Sequence, residues 1–177
     1  MALISRAKVR GYLSVAETAA TTRAQGTAFE DLFAYVFGRM PGISVFRRNA
    51  YNVAGAEEID IAFFNEQNRR GLYYLPNFIL VECKNWSRPL GSEEVAWFDT
   101  KLRNRGLVFG IIFAAQGITG EPGFRNAAYE IVSRALAEGR KLIIFTRDEL
   151  AGIRTTDELN TLIKEKMCDL IATGSVV

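Results

Sequence analysis

The sequence predicts an α/β domain of three layers, in which helices cover both faces of a mixed sheet of about five strands. Two observations support this fold class. Three strand-like segments follow one another early in the chain with polar turns between them, which favours hairpin-like antiparallel pairing. Two later strand-like segments are each reached through a helix, as parallel strands require. The length of 177 residues fits one domain better than two.

The chain is predicted to begin with helix. Over residues 14–40 the apolar positions recur at helical spacing, namely Phe29, Leu32, Phe33, Val36 and Phe37. Gly26 can divide this segment, so we expect residues 1–25 to form an N-terminal helical extension and residues 26–177 to form the main domain. The sequence Met-Pro-Gly at 40–42 ends the helix.

The first three strands are predicted at 43–49, 58–65 and 77–85, separated by polar turns. The fourth, at 107–115, is the continuous apolar run LVFGIIFAA. Such a run is typical of a central strand that is covered on both faces. The fifth strand begins the segment 140–150, which turns onto a short helix.

Three further helices alternate with the later strands, at 92–106, 123–139 and 155–174. Ser92 is the expected N-cap of the first of them. Thr155 begins a capping-box pattern ahead of the last. The alternation of these helices with strands predicts the crossovers of the parallel part of the sheet.

Composition narrows the possible chemistry. The chain is 49% hydrophobic, which is enough for a sizeable core, and its net charge of +2 neither demands nor excludes a nucleic-acid partner. Cys83 and Cys168 lie far apart, which argues against a disulfide scaffold or a thiolate zinc site and favours a reducing compartment. There is no apparent signal peptide, and the longest apolar run is too short to cross a bilayer, so we expect a cytoplasmic protein without membrane association.

The sequence contains no histidine. This excludes Ser-His-Asp and Cys-His catalysis, zinc sites built on histidine and histidine general bases. Any hydrolytic chemistry must therefore rely on carboxylates, lysine and a hard metal ion.

The third predicted strand, NFILVECKNW, carries charge where it should be most apolar. Glu82 and Lys84 share one face of this strand, and antiparallel pairing brings Asp60 of the preceding strand next to Glu82. Two carboxylates in an apolar sheet repel each other and are costly to desolvate. A bound divalent cation removes both costs. Glu30 lies just ahead of these strands, among core residues of the first helix.

The simpler alternative is that Glu82 pairs with Lys84, or with an arginine, on a solvated edge strand. The apolar run before Glu82 and the matching position of Asp60 argue against it. Glu57 and Glu58, just before Asp60, are most simply read as a solvated turn, and the alternative is that Glu58, on the same strand face as Asp60, supplements the site. Trp86 is interpreted as an anchoring aromatic, with stacking on a nucleic-acid base as the alternative.

Three motifs contain these residues: GTAFEDLFAYVF with Glu30, EEIDIAFF with Asp60, and ILVECKNW with Glu82 and Lys84. Taken together, they resemble the motifs of the PD-(D/E)xK nuclease superfamily, and most closely those of its Mrr-like restriction endonuclease branch. The resemblance covers about residues 26–150, and Ile59 stands where the name of the superfamily has proline.

The resemblance implies a restriction-endonuclease-like fold and Mg²⁺-dependent hydrolysis of DNA phosphodiester bonds, in defence against foreign DNA. Asp60 and Glu82 would hold Mg²⁺, or Mn²⁺ in its place, together with the backbone carbonyl of Cys83. Glu30 would act through water or at a second metal ion. Lys84 would orient the attacking water, help to deprotonate it and stabilise charge on the phosphate, which suits a lysine ammonium.

A nuclease also needs cationic or polar contacts to the DNA backbone. The candidates are Arg47, Arg48, Arg88, Lys101 and Gln116. A homodimer is expected because cutting both strands needs two sites, and a further protein partner can select the target. Two alternatives stay open: a nuclease-fold subunit that binds nucleic acid or a partner within a defence complex, and a structure-specific nuclease of repair or recombination.

Overall fold

The computed structural model of the chain describes residues 1–84, 87–120 and 128–174. Within these ranges the chain forms six helices and five strands, in an order that matches the predicted one. The elements are α1 (Arg6–Thr18), α2 (Thr22–Phe37), β1 (Ile43–Tyr51), β2 (Glu58–Asn65), β3 (Phe78–Lys84), α3 (Ser92–Asn104), β4 (Phe109–Ala114), α4 (Ala128–Ala137), β5 (Lys141–Phe145), α5 (Arg147–Gly152) and α6 (Thr156–Thr173).

The five strands form one sheet in the order β1-β2-β3-β4-β5. β1, β2 and β3 pair antiparallel, whereas β3, β4 and β5 pair parallel. Helices cover both faces, so the predicted α/β/α layers and mixed sheet are confirmed. Because β3, β4 and β5 are parallel, their carboxyl ends lie at the same edge of the sheet, and the loops that follow these strands begin there.

The division between the first two helices lies earlier than predicted. α2 begins at Thr22 because the side chain of Thr21 accepts a hydrogen bond of 3.2 Å from the amide of Ala24 and caps the helix. Gly26 therefore lies inside the helix and does not divide it. The predicted start of the fourth helix, at residue 123, falls outside the described residues.

One face of the sheet is covered by α2 through aromatic packing. Phe33 stacks on Phe37 with ring centroids 4.3 Å apart, and Phe29 lies 5.0 Å from Phe113 of β4. Phe33 also meets Phe145 of β5 edge to face. Aromatic pairs of this kind add to the free energy gained by burying the rings, so α2 is firmly anchored to the middle of the sheet.

α3 covers the opposite face, and Gly110 sets its distance from the sheet. A Cβ atom at Gly110 would lie 2.7 Å from the Cδ1 atom of Leu102 and 2.8 Å from the Cε1 atom of Phe98. Only glycine permits so close an approach. Gly110 pairs with Leu80, two residues before Glu82 on the same face, so α3 lies over the face that carries Glu82.

Two ion-pair clusters fix the position of α3 further. Arg140 donates to both oxygens of Asp99, at 2.7 and 2.9 Å, and both side chains are buried. At the end of the helix Arg105 and Asn104 donate to Glu57, at 2.5 and 2.7 Å. The prediction that Glu57 belongs to a solvated turn was wrong, because these partners hold it at 7% exposure.

The N-terminal segment is joined to residues near the start of α6. Leu3 and Thr155 form an isolated antiparallel bridge, and the amide of Ile4 donates to the carbonyl of Arg154 at 2.8 Å. α1 contributes Val9 and Leu13 to the common core. Among the described helices, none is both long enough and apolar enough to span a membrane.

Candidate active site

The predicted acidic residues lie where β2 and β3 run side by side. The antiparallel register pairs Ile61 with Val81, which brings Asp60 to the same end of the sheet as Glu82. The Oδ2 atom of Asp60 accepts a hydrogen bond of 2.6 Å from the backbone amide of Cys83. This bond crosses from β2 to β3 and fixes the direction of the carboxylate.

Asp60 has an unusual electrostatic environment. Its burial, and then the negative charge of Glu82, raise the pKa of the Asp60 carboxyl to about 6. The hydrogen bond from Cys83 and the charge of Lys84 act in the opposite direction but do not cancel the increase. A carboxylate that is costly to ionise in this position gains from a cation placed beside it.

Glu82 is buried and accepts hydrogen bonds from two lysines. Lys101 of α3 donates to both carboxylate oxygens, at 2.9 and 2.8 Å, and Lys84 lies 2.8 Å from Oε1. Charged side chains are rarely buried without such partners. The two ammonium groups therefore balance Glu82 in the structure.

The two lysines differ in their access to solvent. The side chain of Lys101 is 4% exposed, whereas that of Lys84 is 30% exposed. Burial lowers the pKa of Lys84, but the charge of Glu82 and the hydrogen bond to it raise this pKa above its ordinary value. Lys84 thus remains a partly exposed cation beside Glu82.

Glu30 reaches the same region from α2, in partnership with Arg48. The Nη2 atom of Arg48 lies 3.1 Å from Glu30, and its Nη1 atom lies 2.6 Å from Asp31. The negative charge of Glu30 contributes to the raised pKa of Asp60, so the Glu30 carboxylate lies close enough to act electrostatically on Asp60.

A cleft of about 500 Å³ opens in front of Asp60. Glu30 and Glu58 also line it, and so do Tyr51 and Asn49. Asn49 has a φ of 47°, in the left-handed region that asparagine tolerates better than most residues. Glu58, expected in a solvated turn, is instead half-buried in β2 on the Asp60 face and forms a wall of this cleft.

The donors at the site fit a hard divalent cation. Among the residues that the structure describes, no three acidic or cysteine side chains are grouped to hold a metal ion. Mg²⁺ does not need three, because it is commonly held by one or two carboxylates and keeps several waters. Asp60 and Glu82 supply such a pair. Cys83 is not a thiolate ligand here, because burial raises the pKa of its thiol well above the ordinary value.

The predicted DNA contacts occupy different environments. Arg47, Arg88 and Gln116 are exposed, and Gln116 lines a second cavity together with Arg147. Arg48 is engaged by Glu30 and Asp31. Lys101 lies inside the protein, so its predicted role as a phosphate contact does not fit its position.

Residues 85 and 86, with the predicted roles of Trp86, lie outside the described part of the chain.

Sequence reasoning missed Lys101 as a partner of Glu82. A signal was present, because Lys101 follows Phe98 by three residues and so belongs to the apolar face of α3.

The chain matches the model of a known protein family. The model of the family Mrr_cat, described as restriction endonuclease, matches residues 21–153. The matched segment includes Glu30, Asp60, Glu82 and Lys84. A search of curated proteins finds no match.

Proposed function

The chain belongs to the Mrr_cat restriction endonuclease family, and on that basis we propose that it is a metal-dependent endodeoxyribonuclease whose active site comprises Asp60, Glu82 and Lys84. Membership indicates nuclease activity with DNA as the substrate. Nucleases of the PD-(D/E)xK superfamily generally use divalent metal ions. The observation that best supports the proposal is the position of Asp60, fixed by the amide of Cys83 and facing an open cleft.

Asp60 and Glu82 would hold the metal, with the backbone carbonyl of Cys83 as a further oxygen ligand. We propose Mg²⁺, with Mn²⁺ as a substitute. When bound, the ion would lower the pKa of a coordinated water and polarise a phosphoryl oxygen. The raised pKa of Asp60 supports this assignment, because a cation beside the carboxylate offsets the cost of its ionisation.

Lys84 would act directly on the attacking water and on the phosphate. Its ammonium group is partly exposed, next to Glu82, where it can orient a water molecule and stabilise by its positive charge the hydroxide formed from that water. The same charge can stabilise the additional negative charge on the phosphate in the transition state. Exchange of the Glu82 contact for a contact to phosphate is the movement that this role requires.

Glu30 would act from the α2 side of the cleft, either through water or at a second metal ion. Arg48 would hold the Glu30 carboxylate in position. We further propose that the protein cuts duplex DNA as a homodimer, because hydrolysis of two strands needs two sites. We also propose a role in defence against foreign DNA, which the restriction-endonuclease description of the family supports.

Plasmid cleavage tests the proposal. Supercoiled DNA is incubated with the protein and Mg²⁺ or Mn²⁺, and parallel samples contain EDTA. We expect nicked and linear products that need metal, and a loss of about 100-fold or more in rate for Asp60→Asn, Glu82→Gln and Lys84→Met. Lys166→Met is the control, because it removes a buried lysine on the opposite face of the sheet.

Equal cleavage by the wild type and by Asp60→Asn would refute the assigned site. Absence of cleavage with either metal, on duplex, branched and single-stranded DNA alike, would refute an autonomous nuclease. A steep dependence of rate on protein concentration would support the dimer.

A further inference from the structure

Glu82 has two lysine partners, and they are not equivalent. Lys101 contacts both carboxylate oxygens and is 4% exposed, whereas Lys84 lies 2.8 Å from Oε1 and is 30% exposed. A buried carboxylate needs a counter-charge to be stable. The geometry indicates that Lys101 is sufficient by itself to supply this counter-charge.

The helix that carries Lys101 is held in place by several contacts. This helix is α3, whose distance from the sheet is set by Gly110. The helix is fixed from one side by the Asp99–Arg140 ion pair and at its end by Glu57. The Nη1 atom of Arg105, which binds Glu57, also donates to the carbonyl of Lys101 at 2.9 Å. The ammonium of Lys101 is therefore placed by a rigid framework.

We propose that Lys101 is a positioning residue of the nuclease site: it holds Glu82 permanently and thereby leaves Lys84 available to act on water and phosphate. This inference rests on the proposed function. It assigns the two lysines different tasks, one structural towards Glu82 and one directed at the substrate. It also explains why a lysine lies on the apolar face of α3.

Charge balance supports this division of tasks. Without Lys101, Lys84 would be the remaining cation in contact with Glu82 among the residues that the structure describes, and the buried carboxylate would retain it. With Lys101 present, the second ammonium repels Lys84 and weakens its attachment. Lys84 can then leave Glu82 without exposing an uncompensated buried charge.

The obvious competing explanation is that Lys101 only stabilises the fold. Both explanations expect Lys101→Met to lower the free energy of unfolding. They differ in what they expect of Lys84. If Lys101 normally weakens the contact between Lys84 and Glu82, this contact should become stronger in Lys101→Met, whereas a purely stabilising Lys101 predicts no such change. The test therefore measures the availability of the Lys84 amine directly, in metal-free protein.

The experiment compares wild type, Lys101→Met and Lys166→Met. Lys166 is the matched control, because its side chain is 5% exposed and forms an ion pair with a glutamate, Glu149, away from the candidate site. Each protein is treated briefly with N-hydroxysuccinimidyl acetate in EDTA, at a temperature where its unfolding curve shows it to be folded. Acetylation of Lys84 is then quantified by peptide mass spectrometry. In parallel, kcat and KM for DNA cleavage are measured at saturating metal.

We expect Lys84 to be acetylated about threefold more slowly in Lys101→Met, as a strengthened ion pair requires. We expect kcat to fall about tenfold or more, with KM for DNA little changed, because Lys84 is displaced from its working position. Lys166→Met should match the wild type in both measurements.

Unchanged or faster acetylation of Lys84 in Lys101→Met would overturn the proposal, whatever happens to kcat. Slower acetylation with an unchanged kcat would also overturn it, since Lys84 would then not need to be released. If the wild type cuts no DNA, the proposed function fails, while the acetylation rates still decide whether Lys101 controls Lys84.

Discussion

The Oδ2 atom of Asp60 lies 2.6 Å from the backbone nitrogen of Cys83, in a hydrogen bond that joins β2 to β3 at the candidate active site. The bond directs the carboxylate towards the cleft, close enough to Glu82 for each charge to oppose the other. The site thus keeps a carboxylate that the fold alone does not favour in its ionised form. Such groups are concentrated at functional sites.

Asp60→Asn should therefore stabilise the metal-free protein at neutral pH. The folded-state pKa of about 6 exceeds the ordinary value of 3.8, so Asp60 favours folding below pH 4 and this contribution is lost as pH rises through 6. We expect the variant to exceed the wild type by about 2 kcal/mol in free energy of unfolding at pH 8. Urea denaturation in EDTA, at pH 4.5 and pH 8, measures the difference. A gap that does not grow with pH would contradict the shifted pKa.

Gly110→Ala should destabilise the protein and impair cleavage. The new methyl group would lie within 2.9 Å of Phe98 and Leu102, so α3 must move away from the sheet. Overpacking of this kind costs about 1–3 kcal/mol. Thermal unfolding and cleavage rates test the effect. Gly11→Ala is the control, because Gly11 lies within α1 with open space around it, and it should be neutral or slightly stabilising.

Arg47 and Arg48 should differ in their effects on DNA binding. Arg47 is exposed, whereas Arg48 is engaged by Glu30 and Asp31. In an Asp60→Asn background, we expect Arg47→Ala to reduce the slope of log affinity against log salt by about one unit. Arg48→Ala should leave the slope unchanged, but in the active protein it should slow cleavage by releasing Glu30. Fluorescence anisotropy over a salt series measures the slopes. A reduced slope for Arg48→Ala alone would reverse this assignment.

Arg140→Met should be among the most damaging substitutions outside the candidate site. It leaves the buried carboxylate of Asp99 without its bidentate partner. Breaking a buried ion pair from one side costs about 3–5 kcal/mol. Adding Asp99→Leu should recover most of this loss, because both charges are then gone. A double variant no more stable than Arg140→Met would show that the pair does not act as a unit. Chemical denaturation provides the comparison.

The fold was predictable because hydrophobic periodicity and turn composition agree along most of the chain. β2 occupies residues 58–65 as predicted, since polar turns bound its alternating pattern on both sides. The start of α2 was missed because Thr21 caps the helix more effectively than Gly26 interrupts it. Helix ends depend on such local competition, which periodicity does not register.

At the candidate site, the sequence indicated the residues that break the apolar pattern but not their partners. Glu82 and Lys84 stand out because they follow four apolar residues in one strand. The pairing of Lys101 with Glu82 depends on how closely α3 approaches the sheet, and Gly110 sets that distance from another element. Glu57 was misjudged for the same reason, because its partners come from the far end of α3.

The bridge between Leu3 and Thr155 has a consequence for the order of folding. Ala2 and Thr156 also exchange hydrogen bonds across 154 positions of sequence. Contacts so distant in sequence carry a large loop-closure entropy and form late. During synthesis residues 2–4 cannot form these contacts until nearly the whole domain has left the ribosome. Residues 2–4 therefore join the domain last, although they precede the rest of it in the sequence.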